Sequence, residues 1–205
     1  MSPPAHRATR RQDSAAQTRQ LILDAARELF AERGYSATTV QDVAARAGVA
    51  VATVYTSVGG KPTLATELIG AAVAAPEAAE SLAGIAVCED PAEVVRLAAL
   101  GTRLVNERSG TVVELMVSAS VMVPEISQAA AEAVEQYRGA LRMIAERLAA
   151  LSALRPGLTA ERAADILWFY FGLYAWRQLS KDTDWSFDEA QEWLRQRAMS
   201  ALLAP

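Results

Sequence analysis

The chain has a single cysteine and a single histidine in 205 residues. A lone Cys88 excludes an internal disulfide and a cysteine-based zinc site. A lone His6, in a polar N-terminal stretch without partner ligands, excludes a Ser-His-Asp constellation; it reads as a solvated residue rather than a metal ligand or general base. No glycine-rich phosphate loop is present either. Runs of about 18 uninterrupted apolar residues are missing, so no transmembrane span is expected. The arginines near the N-terminus are followed by no apolar segment, so no secretory signal is expected there. These absences point away from an enzyme, a metalloprotein and a membrane protein. No cofactor is expected, and the expected location is the cytoplasm.

Apolar side chains are plentiful. They make up 52% of the chain, mostly Ala, Leu and Val, which suffices for a buried core and argues against disorder. The formal net charge of −4 hides an asymmetry. In residues 1–61 the cations Arg7, Arg10, Arg11, Arg19, Arg27, Arg33, Arg46 and Lys61 outnumber the anions Asp13, Asp24, Glu28, Glu32 and Asp42, while acidic groups dominate the remainder. A basic end on an acidic body fits phosphate contact at that end, although many proteins that never touch nucleic acid share such a pattern.

Residues 1–16 are polar, contain two prolines and lack periodicity, and are expected to form a flexible basic arm. The Arg7-Arg10-Arg11 cluster has two readings, a solubilising tail or an arm that enters a DNA minor groove. A first helix is expected from about Arg19 to Arg33: Leu21/Ile22, Ala25/Ala26 and Leu29/Phe30 recur at helical spacing, Thr18 is available as N-cap, and Gly34 is the stop. Thr39 caps the second helix, with Asp42 three residues on approximating a capping box, and Val40, Val43, Ala44 and Ala47 form its buried stripe. Gly48 supplies the positive φ of a tight turn, and a short third helix, about Ala50–Ser57, follows. Two short helices joined by such a turn are the pattern of a helix-turn-helix, whose last helix lies in a DNA major groove.

The run ILxAAxxLFxERGYxxTTV at Ile22–Val40, DVAxxAGV at Asp42–Val49, and then Thr53, Tyr55 and Lys61 resemble the DNA-binding module of the tetracycline-repressor (TetR) family. The resemblance spans residues 17–65, about a quarter of the chain. It implies an all-α homodimer of about nine helices per subunit, with an N-terminal three-helix helix-turn-helix domain (17–65) and a larger regulatory domain for effector binding and dimerisation (66–205). The family commonly has Ser, Gly, His and Phe where this chain has Ala50, Ala52, Ser57 and Val58, and Ser-Lys-Glu where it has Gly60-Lys61-Pro62. Ala50 forgoes a helix cap worth roughly 1 kcal/mol. Pro62 suits the first turn of a fourth helix.

On this reading the expected DNA contacts are Thr39, Gln41, Val51, Ala52, Thr53, Tyr55, Thr56 and Lys61. The third helix has no Arg, Asn or Gln, so apolar contact of Val51 or Ala52 with thymine methyls and hydroxyl contacts from Thr53 and Thr56 are expected in place of bidentate base recognition. Tyr55 and Lys61 match family positions that grip phosphates, Thr39 can do so from a helix N-terminus, and Gln41 can reach a base or the backbone. Tyr55 also has a packing reading and Thr39 a capping one. A helix of about eight residues covers only some 12 Å, so two copies on a palindromic double-stranded site are expected.

From Lys61 onward six more helices are expected, broken near Pro76, Pro91, Gly110, Pro124, Pro156-Gly157 and residues 181–184. The segment Ile166–Leu179 carries six aromatics, and core, subunit interface and ligand pocket compete as explanations. The family resemblance puts an intersubunit bundle in the last two long helices, where Gly172 and Ala175 would allow close approach, and an effector pocket between the middle helices. Trp168 and Phe171, with Leu104, Met116, Tyr137 and Met143 opposite, are the pocket candidates, and a bulky apolar or aromatic effector would suit them. The favoured function is a DNA-binding repressor under small-molecule control. Its rivals are an enzyme, which no motif supports, and a helical ligand carrier that has lost DNA contact, which Ala50 and Val58 keep open.

Overall fold

Capping and glycine punctuation decide the helix ends. The computed structural model describes residues 4–74 and 76–204, and the side chains from 13 onward except at position 77. The readings of His6 and of the Arg7-Arg10-Arg11 cluster concern side chains outside the described residues. Ten α-helices are seen there: α1 (Pro4–Ala37), α2 (Val40–Ala47), α3 (Val51–Ser57), α4 (Lys61–Val73), α5 (Pro76–Val87), α6 (Pro91–Ala119), α7 (Pro124–Ala150), α8 (Ala160–Phe171), α9 (Leu173–Arg177) and α10 (Phe187–Leu202). A π-helical turn, Gln178–Asp182, follows α9. The only β pairing among the described residues is a single antiparallel bridge, Leu154 with Leu203.

Several of these ends differ from expectation. α1 begins at Pro4, so the backbone of residues 4–16 is helical where an arm is expected. Its regular part stops where Gly34 adopts φ 78° and ψ 165°, at the expected position. Gly110 does not interrupt α6: a Cβ there would meet open space, and one glycine in a long helix is an affordable propensity loss of about 1 kcal/mol. A break occurs instead at Gly172, which separates α8 from α9 with φ −69° and ψ 162°. A Cβ at Gly172 would lie 2.3 Å from the Trp168 carbonyl oxygen. Gly172 therefore permits a break in the chain, in addition to any role in helix approach.

The chain divides into two compact units. Unit 1 comprises residues 1–71 together with 114–130, so it is discontinuous in sequence. Its core includes Ile22, Leu29, Val43, Val54, Leu64 and Ile126, all essentially inaccessible. Unit 2 comprises residues 72–113 and 131–205, and its core gathers Val94, Leu141, Leu148, Leu167, Phe171 and Trp176 with Leu194 and Leu202 of α10. Among the described residues, Lys61–Val87 is long and apolar enough by composition to cross a bilayer, with mean hydropathy 1.3 over an 18-residue window. It is divided into α4 and α5, and α4 buries Leu64, Ala65, Leu68 and Ile69.

Candidate DNA-binding surface and an internal cavity

The presentation of α3 follows from local chemistry in unit 1. Thr39 accepts a hydrogen bond from the Asp42 backbone N–H (3.1 Å), while the Asp42 carboxylate accepts from the Thr39 N–H (2.9 Å) and hydroxyl (2.6 Å). These bonds hold the Asp42 carboxyl below the usual carboxylate range. The cap is accordingly complete above that range and weakens as pH falls through the lowered pKa of the folded state. At the other end of α2, Gly48 sits in the left-handed region (φ 69°) and its N–H reaches the Ala44 and Ala45 carbonyls. The chain then turns into α3, of which Val54 alone is fully buried.

With Val54 inward, Ala52, Tyr55 and Thr56 occupy one exposed face at i, i+3 and i+4 spacing. Tyr55 is 54% exposed, so the packing explanation does not account for it. Val51 and Thr53 flank this face half-buried. The Thr56 hydroxyl donates back to the Ala52 (3.0 Å) and Thr53 (3.2 Å) carbonyls and keeps lone pairs outward. Gln41 is exposed on α2 beside the exposed cap Thr39.

Lys61 is more embedded than its expected phosphate role suggests. Its Nζ donates to the Ser36 carbonyl (3.3 Å) and lies 4.2 Å from the centre of the Tyr35 ring, and partial burial lowers its pKa. The other cations of this region whose side chains are described are paired. Arg46 binds Glu28 (3.0 Å) and Glu32 (2.9 and 2.8 Å), Arg27 binds Asp24 (2.6 Å), and Arg33 lies 3.8 Å from Asp42. Arg19 donates to the Ser57 carbonyl at the end of α3 and pairs with Glu67 of α4 (2.7 Å). In the sequence Arg19 counts only as one cation of the basic end, near the start of the first helix. Its spacing to Ser57 is visible only in the fold, where it anchors the C-terminal end of the exposed helix.

The N-terminal end of α3 has no such support. Ala50 has the extended backbone of an N-cap (φ −71°, ψ 148°) but no side-chain acceptor. Ala50→Ser is expected to stabilise α3 by about 1 kcal/mol. Slower hydrogen exchange across residues 51–57 would register this, and faster exchange would show that the serine disturbs the turn.

Residues 22–68 match the sequence profile described as bacterial regulatory proteins, tetR family. The chain carries the DNA-binding module of the tetR family in residues 22–68. It is a DNA-binding transcriptional regulator in that coarse sense. No curated protein matches the chain. Among solved structures it is similar to NalD, the secondary repressor of the MexAB-OprM multidrug efflux pump in Pseudomonas aeruginosa, at 24% identity over 92% of this chain and 98% of that one, with TM-score 0.71. It is also similar to a transcriptional regulator from Saccharomonospora viridis in complex with choline (18%, 93% and 100%, TM-score 0.76). A third is SmeT in complex with triclosan (19%, 92% of each chain, TM-score 0.74). At these identities the likeness establishes the shared tetR-type fold.

Unit 2 contains a half-open cavity of about 320 Å³. Its wall combines Ala98, Gly101, Thr102 and Val105 of α6 with Ala133, Gln136, Tyr137, Ala140, Leu141 and Ile144 of α7, closed by Ser81, Leu82 and Ile85 of α5 and by residues 72–74. Of the six pocket candidates only Tyr137 lines it. Phe171 is fully buried in the unit 2 core, and Trp168 stands edge-on to Tyr137 (6.0 Å) outside the cavity. Leu104 and Met143 are exposed, and Met116 is buried in unit 1. Small residues form much of the wall, and a search for large aromatic side chains overlooks them. At Gly101 a Cβ would lie 2.3 Å from Ser81 Oγ, so glycine is what lets α5 approach α6 so closely.

Proposed function

We propose that this protein is a transcriptional repressor that binds a palindromic operator as a homodimer and responds to a small apolar or aromatic effector held in the unit 2 cavity. The carrying observation is the exposed Ala52-Tyr55-Thr56 face on a helix fixed from behind by Val54. A face without Arg, Asn or Gln reads thymine methyls and backbone phosphates more than guanine edges, which favours A·T-rich half-sites. Seven residues of recognition helix give little discrimination alone, and a two-fold pair doubles the site.

The dimer is assigned to α8 and α10. Phe169 on α8 is 73% exposed and Trp193 on α10 is 40% exposed, and aromatic area of this kind suits a subunit interface. NalD is described as a repressor, and SmeT and the Saccharomonospora viridis regulator were solved with small molecules, which supports the repressor and effector parts of the reading. Effector and operator are coupled to the extent that each prefers a different conformation of the dimer. α4 is the direct chain connection from the helix-turn-helix to unit 2 and is the assigned lever.

The test is a salt-dependent titration of the intact protein against a genomic fragment library, with Tyr55→Phe/Thr56→Val as control. Neither control residue supports the core. Enrichment of a palindrome whose affinity falls about tenfold in the control is expected. A stable dimer without selective binding at low salt would instead favour the ligand-carrier reading.

A further inference from the structure

The polar groups of the cavity have an uneven hydrogen-bond balance. Ser81 donates its hydroxyl to the Leu97 carbonyl (3.1 Å) and Thr102 to the Ala98 carbonyl (2.8 Å). Tyr137 donates to the Phe171 carbonyl (2.6 Å), which lies at the end of α8 where the break at Gly172 interrupts the helical ladder. Just behind the wall, the Asn106 amide donates to the Thr102 carbonyl (2.7 Å) and to the Tyr137 oxygen (3.2 Å). Every hydroxyl hydrogen of the wall is therefore committed to protein, and the Tyr137 oxygen, already accepting from Asn106, keeps one acceptor position beside the Thr102 hydroxyl. Gln136 is exposed, so water can serve its amide. Among the residues whose side chains are described, no Asp, Glu, Lys, Arg or His lines the cavity, and burial pushes the Tyr137 phenol up, which keeps it neutral.

This balance discriminates between ligand classes. An anion would enter without a cation to pair with among the described lining residues. A quaternary ammonium group would find one aromatic ring and no cage. A ketone, ester or ether oxygen needs a donor, and taking the one on Tyr137 would strand the Phe171 carbonyl. A ligand hydroxyl, by contrast, can donate to the Tyr137 oxygen while that residue goes on donating to Phe171. The resulting chain of hydrogen bonds polarises in one direction, so each bond strengthens the next.

We propose that the cavity takes an uncharged, largely hydrocarbon molecule bearing a hydrogen-bond donor, an alcohol or a phenol, and that the oxygen of Tyr137 reads the donor. The proposal rests on the reading of the cavity as the effector site. Its test is calorimetric titration of the intact protein with 2-naphthol, 2-methoxynaphthalene and 2-naphthoate. The same titrations are made on Tyr137→Phe, which keeps the ring, and on Ala140→Leu, which fills the cavity.

2-Naphthol is expected to bind the wild-type protein about fivefold more tightly than its methyl ether, with the carboxylate weaker still. In Tyr137→Phe the advantage over the ether should fall below about twofold while both neutral probes still bind. Equal or tighter binding of the ether or the carboxylate by the wild-type protein overturns the proposal, even if the phenylalanine variant does not fold. Survival of the full advantage in Tyr137→Phe overturns it too. If 2-naphthol does not bind, or binds Ala140→Leu unchanged, the effector-cavity reading itself fails. A loss confined to Ala140→Leu, without preference for 2-naphthol, sinks only the assignment of the donor.

Discussion

Val54→Asp is expected to abolish selective DNA binding, lowering affinity more than about 100-fold. Val54 is the one fully buried side chain of α3 and is 0% exposed. An aspartate there would bring a carboxylate into the apolar unit 1 core. A buried unpaired charge costs several kcal/mol. A short helix with a single buried side chain cannot absorb that loss, so α3 should detach before the remainder of the unit unfolds. All four tryptophans, Trp168, Trp176, Trp185 and Trp193, belong to unit 2. Intrinsic fluorescence should therefore stay close to wild type while hydrogen exchange across residues 51–57 accelerates. Affinity retained within about threefold would show that α3 is seated by something other than Val54.

Trp176→Ala should have the largest effect on stability, a loss of about 3–5 kcal/mol measured by denaturant unfolding. The side chain is 0% exposed in the unit 2 core and its ring lies 6.1 Å from that of Phe187. A loss of this size is a large fraction of the total stability of an ordinary domain, about 5–15 kcal/mol. Trp176→Phe is expected to be far milder than its lost area suggests. The indole Nε1 is buried with no hydrogen-bond partner among the described residues, and phenylalanine removes that unsatisfied donor. Equal damage from the two substitutions would mean that the indole shape, or a partner for its N–H, matters more than this balance.

The contrast between Gly110 and Gly172 shows what a sequence reading can reach. Thr39, Asp42, Gly48 and Ala50 act on neighbours a few residues away, so the caps and the turn were legible from spacing alone. A glycine inside a helical pattern carries no such information. At Gly110 a Cβ would meet open space, and at Gly172 it would meet the Trp168 carbonyl, a difference that exists only once the chain is folded. The cavity was missed for a related reason. It is a place where side-chain volume is lacking, whereas aromatic residues draw attention to where volume is present. A usable signal was in the chain: Ala98, Gly101, Thr102 and Val105, and Ala133, Gln136, Tyr137, Ala140 and Ile144, each follow helical spacing along one face. The roles of Arg19 and Lys61 depend on partners far away in sequence, and no local pattern announces them.

Unit 1 closes around a segment that arrives late in the chain. Ile126 and Ala119 are fully inaccessible, and with the rest of residues 114–130 they belong to the same unit as the helix-turn-helix. During synthesis the first 71 residues therefore leave the ribosome without the piece that completes their core. They must wait, with part of their apolar surface open, until residue 130 has emerged. A fragment cut after residue 71 would remain in that unfinished state.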